Sequence, residues 1–369
     1  MTVDRRTKLV GLLDLARQEG IEIGPLTHPV VEKGQGRIVY VDHASTDELK
    51  LKYASDSSVQ PDRMVPLDVV IGGGSLAEAV GGHTFDYAIA SHVIEHVPDF
   101  IGFLRGVSDI LRREGFLCLA IPDKRYTFDR SRTNTVLADV IEAHLRGLQR
   151  PSVRQVFDHF ATARPISAEQ AWSGLVQDHE LPKAHTMEDA WRMAQVAASS
   201  ERYVDCHCHV FTPMSFFDVL RGCFELDLLD FKVVQFWSTA PNEVEFFVTL
   251  RRLPTNLARE TMRNTQMDSL PPLEVTTRPS VSWQPGKGPG LLIGSRAGGF
   301  DGKIFYAQGP IRYWVTAVEW ARDAGFEWPA DIVWASDDDI AGYHLMPGLP
   351  PSPDSVRAWS SSATFRPIP

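Results

Sequence analysis

Apolar and polar positions along this chain fall into short continuous apolar runs separated by stretches of helical spacing. Leu9, Leu12, Leu13 and Ala16 share one helical face, which predicts a helix over 5–18 closed by Gly20. Ile21–Gly24 and Arg37–Val41 read as strands, 47–53 as a helix, Met64–Val69 as a third strand and 75–80 as a short helix. Tyr87–Ala90 is a fourth strand, apolar throughout as in a parallel sheet covered on both faces, and it ends in the polar pair Ser91 and His92. A helix from Pro98 and Asp99 follows, with Arg112 and Arg113 in its last turn and Gly115 at its end, and then a fifth strand, Phe116–Ile121. Alternating strands and helices imply right-handed crossovers and a doubly wound α/β sheet, whose ligands lie at the carboxyl ends of the strands.

Residues 124–204 break this rhythm with helical patterns over 136–148, 153–161, 167–176 and 186–199. Placed after the fifth strand, such an insertion overhangs the carboxyl edge and shuts water from the site; the competing role is a homodimer contact. A helix from Thr212 and Pro213 to Gly222 and two strands, 232–238 and 244–251, complete the sheet with an antiparallel pair. The expected domains are therefore 1–252, a linker over 253–290, a small α+β module over 291–346 and an irregular tail over 347–369. Within the module, strands are expected at 303–307 and 331–334 and a helix over 311–324. Trp314, Trp320, Trp328 and Trp334 suit a compact core or a sugar platform.

A length of 369 residues, 43% hydrophobic and 23% charged, suits an ordinary globular protein. The net charge of −10 argues against a nucleic-acid binder. No apolar run is long enough to span a membrane, and the charged start is unlike a signal peptide, so the expected location is cytoplasmic. Four cysteines, two of them only two positions apart, make no disulfide framework.

Asp42 falls eighteen residues after Gly24. That is close to the spacing of about twenty at which a strand-terminal carboxylate accepts ribose hydroxyls, so the pattern fits an adenosine-type ligand. It also fits an ordinary strand, turn and strand in which Asp42 is a cap. Asp68 suits either the base edge of such a ligand or a solvated cap.

At EIGP, YVDH, FDYAIASHVIEHVPD and GFLCLAIPDKRYTFD the chain resembles the class I methyltransferases that use S-adenosylmethionine, over about residues 20–130 and again near 233–251. The resemblance implies a Rossmann-like sheet and S-adenosylmethionine as cofactor. Glu22 and Gly24 would belong to the first cofactor motif, Asp42 would hold the ribose, Asp68 or its neighbour would sit near adenine, and Ser91 and His92 would border the methionine end. Where the family carries a glycine-rich turn after the first strand, Pro25, Leu26, Thr27 and His28 follow Gly24. The segment 300–350 resembles small Trp- and Gly-containing modules of bacterial surface and glycan-related proteins.

Asp205-Cys206-His207-Cys208-His209 offers proton chemistry: in an extended stretch Asp205, His207 and His209 would share one face and the cysteines the other. The stretch equally suits plain packing, and a metal is a third reading, but no second ligand pair appears for structural zinc, so no metal is assigned. The expected activity is O-methylation of a sugar, glycan precursor or other small hydroxylated metabolite, with His207 or His209 as base and Asp205 beside them. The rival readings are a cofactor-binding scaffold without turnover and a nicotinamide enzyme. The latter lacks both the full G-x-G-x-x-G turn and a Tyr-x-x-x-Lys pair.

Overall fold

A computed structural model describes residues 3–54, 59–173, 176, 178–271, 291–294, 304–308, 311–315, 318–324, 326, 332–334, 344–345 and 353. The chain divides into two compact units, 1–171 with 178–273, and 172–177 with 274–369.

The first unit is built on a seven-stranded sheet. Its strands are β1 (Glu19–Ile23), β2 (Arg37–Asp42), β3 (Val69–Val70), β4 (Phe85–Ser91), β5 (Leu111–Pro122), β6 (Phe231–Trp237) and β7 (Glu245–Arg252), in the order β3-β2-β1-β4-β5-β7-β6. The first five are parallel, and β7 runs antiparallel between β5 and β6. This is the expected Rossmann-like α/β architecture. Its strand order reverses between β1 and β4, which opens a crevice at their carboxyl ends. The helices of the unit are α1 (Arg5–Val10), α2 (Thr46–Lys52), α3 (Leu76–Ala79), α4 (Phe100–Ile110), α5 (Leu137–Leu145), α6 (Val153–Thr162), α7 (Ala168–Ser173), α8 (Met187–Ser199), α9 (Pro213–Glu225) and α10 (Arg259–Ser269).

Strand β4 shows why the sheet is covered twice. Ala88 and Ala90 face a core shared with α4 and α9, while Tyr87 and Ile89 face a second one with Leu9, Val10, Val30 and Val31. The second face is thus covered by α1 and by the segment 24–36, which joins β1 to β2 without a helix.

Several boundaries differ from the sequence pattern for identifiable reasons. Helix α1 ends at Val10, and Gly20 lies inside β1, because Tyr87 crosses it so closely that a Cβ on residue 20 would be 2.0 Å from the ring. The third strand shortens to Val69–Val70: Asp68 donates its amide to the carbonyl of Tyr40 and accepts the amide of Tyr40 on its side chain. Helix α4 stops at Ile110 because Arg112 is drawn into β5 by Asp86 (2.7 Å) and Glu19 (3.2 Å). Gly222 does not end α9. It lies within the helix, where a Cβ would meet Leu137 at 2.4 Å. The stretch taken as a linker contains α10, whose apolar signal is sparse because it docks mainly through Gln266, donating to the carbonyls of Leu229 (2.7 Å) and Phe231 (3.0 Å).

In the second unit, β8 (Leu291–Gly294), β9 (Ile304–Gln308), β10 (Ile311–Val315), β11 (Ile332–Trp334) and β12 (His344–Leu345) form a sheet in the order β11-β8-β9-β10-β12, with α11 (Val318–Asp323). The helix expected over 311–324 is therefore a strand and a shorter helix. The antiparallel register sets Tyr313 opposite Tyr306 and Trp314 opposite Phe305. Trp320 packs on the unit's core of Leu292, Ile304, Tyr306 and Phe326. Trp328 and nearly all of the expected tail lie outside the described residues.

Candidate functional site

Gly24, just past the end of β1, has φ +67°, and a Cβ there would meet Val93 at 3.0 Å. Its left-handed backbone is the conformation that glycine adopts without steric cost. Asp42 closes β2, buried, with both contacts from His43 on a single oxygen: the amide at 2.7 Å and Nδ1 at 2.5 Å. Ser91 closes β4 and accepts from Arg5 at 2.8 Å. Gly24, Asp42, Ser91 and His92 therefore collect along the carboxyl edge.

Two other predicted cofactor residues face elsewhere. Glu22 is 2% exposed and accepts the amides of Val30 (2.7 Å) and Val31 (3.2 Å), so it clamps the segment after β1; burial outweighs these bonds and lifts its carboxyl to about 7. Asp68 sits level with Tyr40, two positions short of the edge that Asp42 and Val70 mark, and it pairs with Lys33.

His92, at φ +54°, points Nε2 at Glu245 (2.7 Å). Because β7 is antiparallel, Glu245 at its start reaches the same edge, where Arg5 also donates to it (2.6 and 3.0 Å). Burial alone would raise the Glu245 carboxyl, but the bonds from His92 and Arg5 hold it at about 2. Burial would likewise lower His92, and its bond to Glu245 with the charge of Glu95 raises it instead.

Beyond His92 lies a second, larger cluster. His96 donates Nδ1 to Asp205 (2.9 Å), which is also paired with Lys52 (2.8 Å) and hydrogen-bonded by the Tyr53 hydroxyl (3.3 Å). His207 donates Nδ1 to Asp129 (2.5 Å), which Arg132 also holds (2.8 Å). Against the cost of burial, these partners keep Asp129 at about 2 and Asp205 well below the usual carboxylate range. The rings of His96 and His207 meet edge to face at 4.6 Å, and a ligand atom from each lies with one from Glu95 inside a 4.8 Å set.

The expectation that Asp205, His207 and His209 share one face is corrected here. Residues 201–210 carry no strand, and while Asp205 and His207 both reach His96, His209 does not join them. His209 is 1% exposed between Phe100 and Phe211, its ring nitrogens form no hydrogen bond of normal geometry among the described residues although the Pro98 backbone lies close, and burial pushes it down to about 4. It belongs to the core. Cys206 and Cys208 do pack together, on Val156 and Val204. Asp129, Arg132, Glu95 and Glu245 were missed as site members. The only sequence signal was Glu95-His96 directly after a predicted strand, since the others arrive from distant segments.

A cleft of about 1020 Å³ runs from His43 to Asp205, with Tyr53, Phe160, Met193 and Tyr203 in its walls. Phe160 on α6 and Met193 on α8 come from the insertion.

A family model described as a methyltransferase domain matches residues 12–213, more than half of the chain. The chain belongs to this family. It is an S-adenosylmethionine-dependent methyltransferase. Solved structures similar to this methyltransferase include a SAM-dependent methyltransferase from Methanosarcina mazei (13% identity over 69% of this chain and 99% of that one, TM-score 0.34). Two more are an S-adenosylmethionine-dependent methyltransferase from Mesorhizobium loti (12%, 65% and 93%, 0.33) and the CcbJ methyltransferase from Streptomyces caelestis (11%, 67% and 94%, 0.34). No curated protein matches the chain. Among the described residues of the methyltransferase, no helix is long and apolar enough to cross a membrane.

Proposed function

We propose that this methyltransferase acts on a hydroxyl oxygen of a small metabolite, such as a sugar or glycan precursor. The observation that carries the reading is the pair of imidazole–carboxylate couples, His207 with Asp129 and His96 with Asp205, past the end of β4. A hydroxyl must lose its proton on methylation, and an imidazole held by a carboxylate accepts that proton near neutral pH.

When bound, S-adenosylmethionine supplies a methyl group already activated by its sulfonium, which leaves positioning and proton removal to the protein. Asp42 would accept the ribose hydroxyls, Gly24 would let the backbone pass the methionyl part, and Ser91 and His92 would border it. Glu22 would act through the segment it clamps. In place of Asp68, the turn Ile71–Gly74 follows β3 at the edge that Asp42 occupies. The cleft between α2 and the insertion offers the acceptor aromatic walls at Tyr53 and Tyr203 and polar groups at Lys52 and Asp205.

Calorimetry and turnover test this reading. Asp42→Ala is expected to weaken S-adenosylmethionine binding about tenfold to a hundredfold, the equivalent of about one hydrogen bond to a charged group. Methyl transfer from radiolabelled donor is then measured on hydroxylated acceptors and on their amino and thiol analogues. Methylation confined to nitrogen or sulfur refutes the oxygen reading, and donor binding without any turnover favours a cofactor-binding scaffold.

A further inference from the structure

We propose that Glu95, His96 and His207 bind a single divalent transition-metal ion. Glu95 is 2% exposed, and neither of its carboxylate oxygens has a hydrogen-bond partner among the described residues. A buried carboxylate in that state is unfavourable unless a cation faces it. His92 answers it only in part: its Nδ1 forms an ion pair with Oε1 at 3.6 Å, beyond hydrogen-bond reach, and its Nε2 is taken by Glu245, so neither oxygen of Glu95 gains a hydrogen bond. His96 and His207 supply nitrogens that complete a set of three ligand atoms within 4.8 Å of one another. An ion about 2.1 Å from each ligand in tetrahedral geometry sets the ligands about 3.4 Å apart, so side-chain rotations that move the ligand atoms by about an ångström close the set.

The surroundings of the two imidazoles are those that metal sites use. Each commits Nδ1 to a carboxylate, His207 to Asp129 and His96 to Asp205, and this leaves Nε2 as the nitrogen with a free lone pair. Those carboxylates are themselves neutralised, Asp129 by Arg132 and Asp205 by Lys52, so the charge of Glu95 is the one left for an ion. The two ligand-bearing segments are also tied through the backbone, because the carbonyl of Glu95 accepts the amides of Cys208 (2.6 Å) and His209 (3.0 Å). The second ligand pair that Asp205–His209 lacks in sequence is thus supplied by the turn after β4.

Two imidazoles and one carboxylate suit ions from Mn²⁺ to Zn²⁺ rather than Ca²⁺ or Mg²⁺, which favour all-oxygen shells. Three protein ligands leave positions for water or an acceptor hydroxyl, whose proton becomes more acidic on coordination; with the ion bound neither Nε2 is free to take that proton, so the ion replaces the imidazoles as the group that activates the hydroxyl. That use of the ion rests on the hydroxyl-acceptor reading; ion binding itself does not.

The test titrates Co²⁺ into full-length protein stripped with a chelator, following visible absorption and calorimetry. One Co²⁺ per chain is expected, weakened at least about a hundredfold by Glu95→Gln and about tenfold to a hundredfold by Asp129→Asn. Absence of stoichiometric binding, or equal affinity in Glu95→Gln, overturns the proposal. His96→Asn carries the same expectation if Glu95→Gln does not fold. The acceptor panel is run on the same stripped and reloaded protein. Co²⁺ binding without hydroxyl methylation supports the ion site and sinks the acceptor reading; hydroxyl methylation by stripped protein that binds no Co²⁺ does the reverse.

Discussion

Replacing Glu245 by glutamine removes the charge that joins the first helix, the end of β4 and the start of β7. The carboxylate is 7% exposed, accepts from Arg5 at 2.6 and 3.0 Å, and takes Nε2 of His92 at 2.7 Å. Its pKa falls from 4.5 to about 2 on folding. A carboxyl lowered on folding stabilises the native state above its unfolded pKa and loses that contribution as pH falls through the folded one, here between about pH 5 and pH 2. The shift corresponds to about 3 kcal/mol at pH 7 and about 1.5 kcal/mol at pH 3. Glutamine keeps one acceptor, and Arg5 is partly solvated, so Glu245→Gln is expected to cost about 2–3 kcal/mol at pH 7. Urea unfolding followed by circular dichroism measures it, with the gap between parent and variant shrinking by about half at pH 3. A gap under about 0.5 kcal/mol at pH 7, or one that acid does not reduce, refutes the reasoning.

Gly20→Ala places a methyl group 2.0 Å from the buried Tyr87 ring and is expected to cost about 3 kcal/mol; Tyr87→Leu in the same chain should recover part of that, and additive losses argue against the contact. Glu22 has a raised carboxyl, so its contribution is intact below pH 4.5 and is lost as pH rises through about 7. Glu22→Gln should therefore gain on the parent between pH 5 and 8, by up to about 3 kcal/mol in urea unfolding, and a pH-independent difference contradicts this. His209→Leu should leave stability unchanged or higher and methyl transfer within about twofold, because the ring sits in an apolar site and makes no hydrogen bond of normal geometry among the described residues. A loss of more than about tenfold in rate at unchanged stability would return His209 to the chemistry.

The apolar runs at Ile21, Val39, Ala88 and Leu119, with polar residues at their ends, determined the sheet and the edge at which Asp42, Ser91 and His92 meet. This was legible because a strand buried on both faces must be apolar throughout, and because its first polar residue marks where it leaves the core. Spacing along one chain carries no information on where a side chain turns once the backbone is irregular. The alternation read into Asp205–His209 failed at its last member for that reason: Asp205 and His207 both reach His96, while His209 went to the core. Only the tertiary structure brought Asp129, 78 residues before His207, into contact with it, or set Glu95 beside both imidazoles. Gly20 shows the same division, since its sequence suits a helix end and only the passage of Tyr87 across β1 requires a residue without a side chain. Local pattern determined which segments are buried. Which charges and rings face one another was decided by long-range packing and by the need to pair every charge taken out of water.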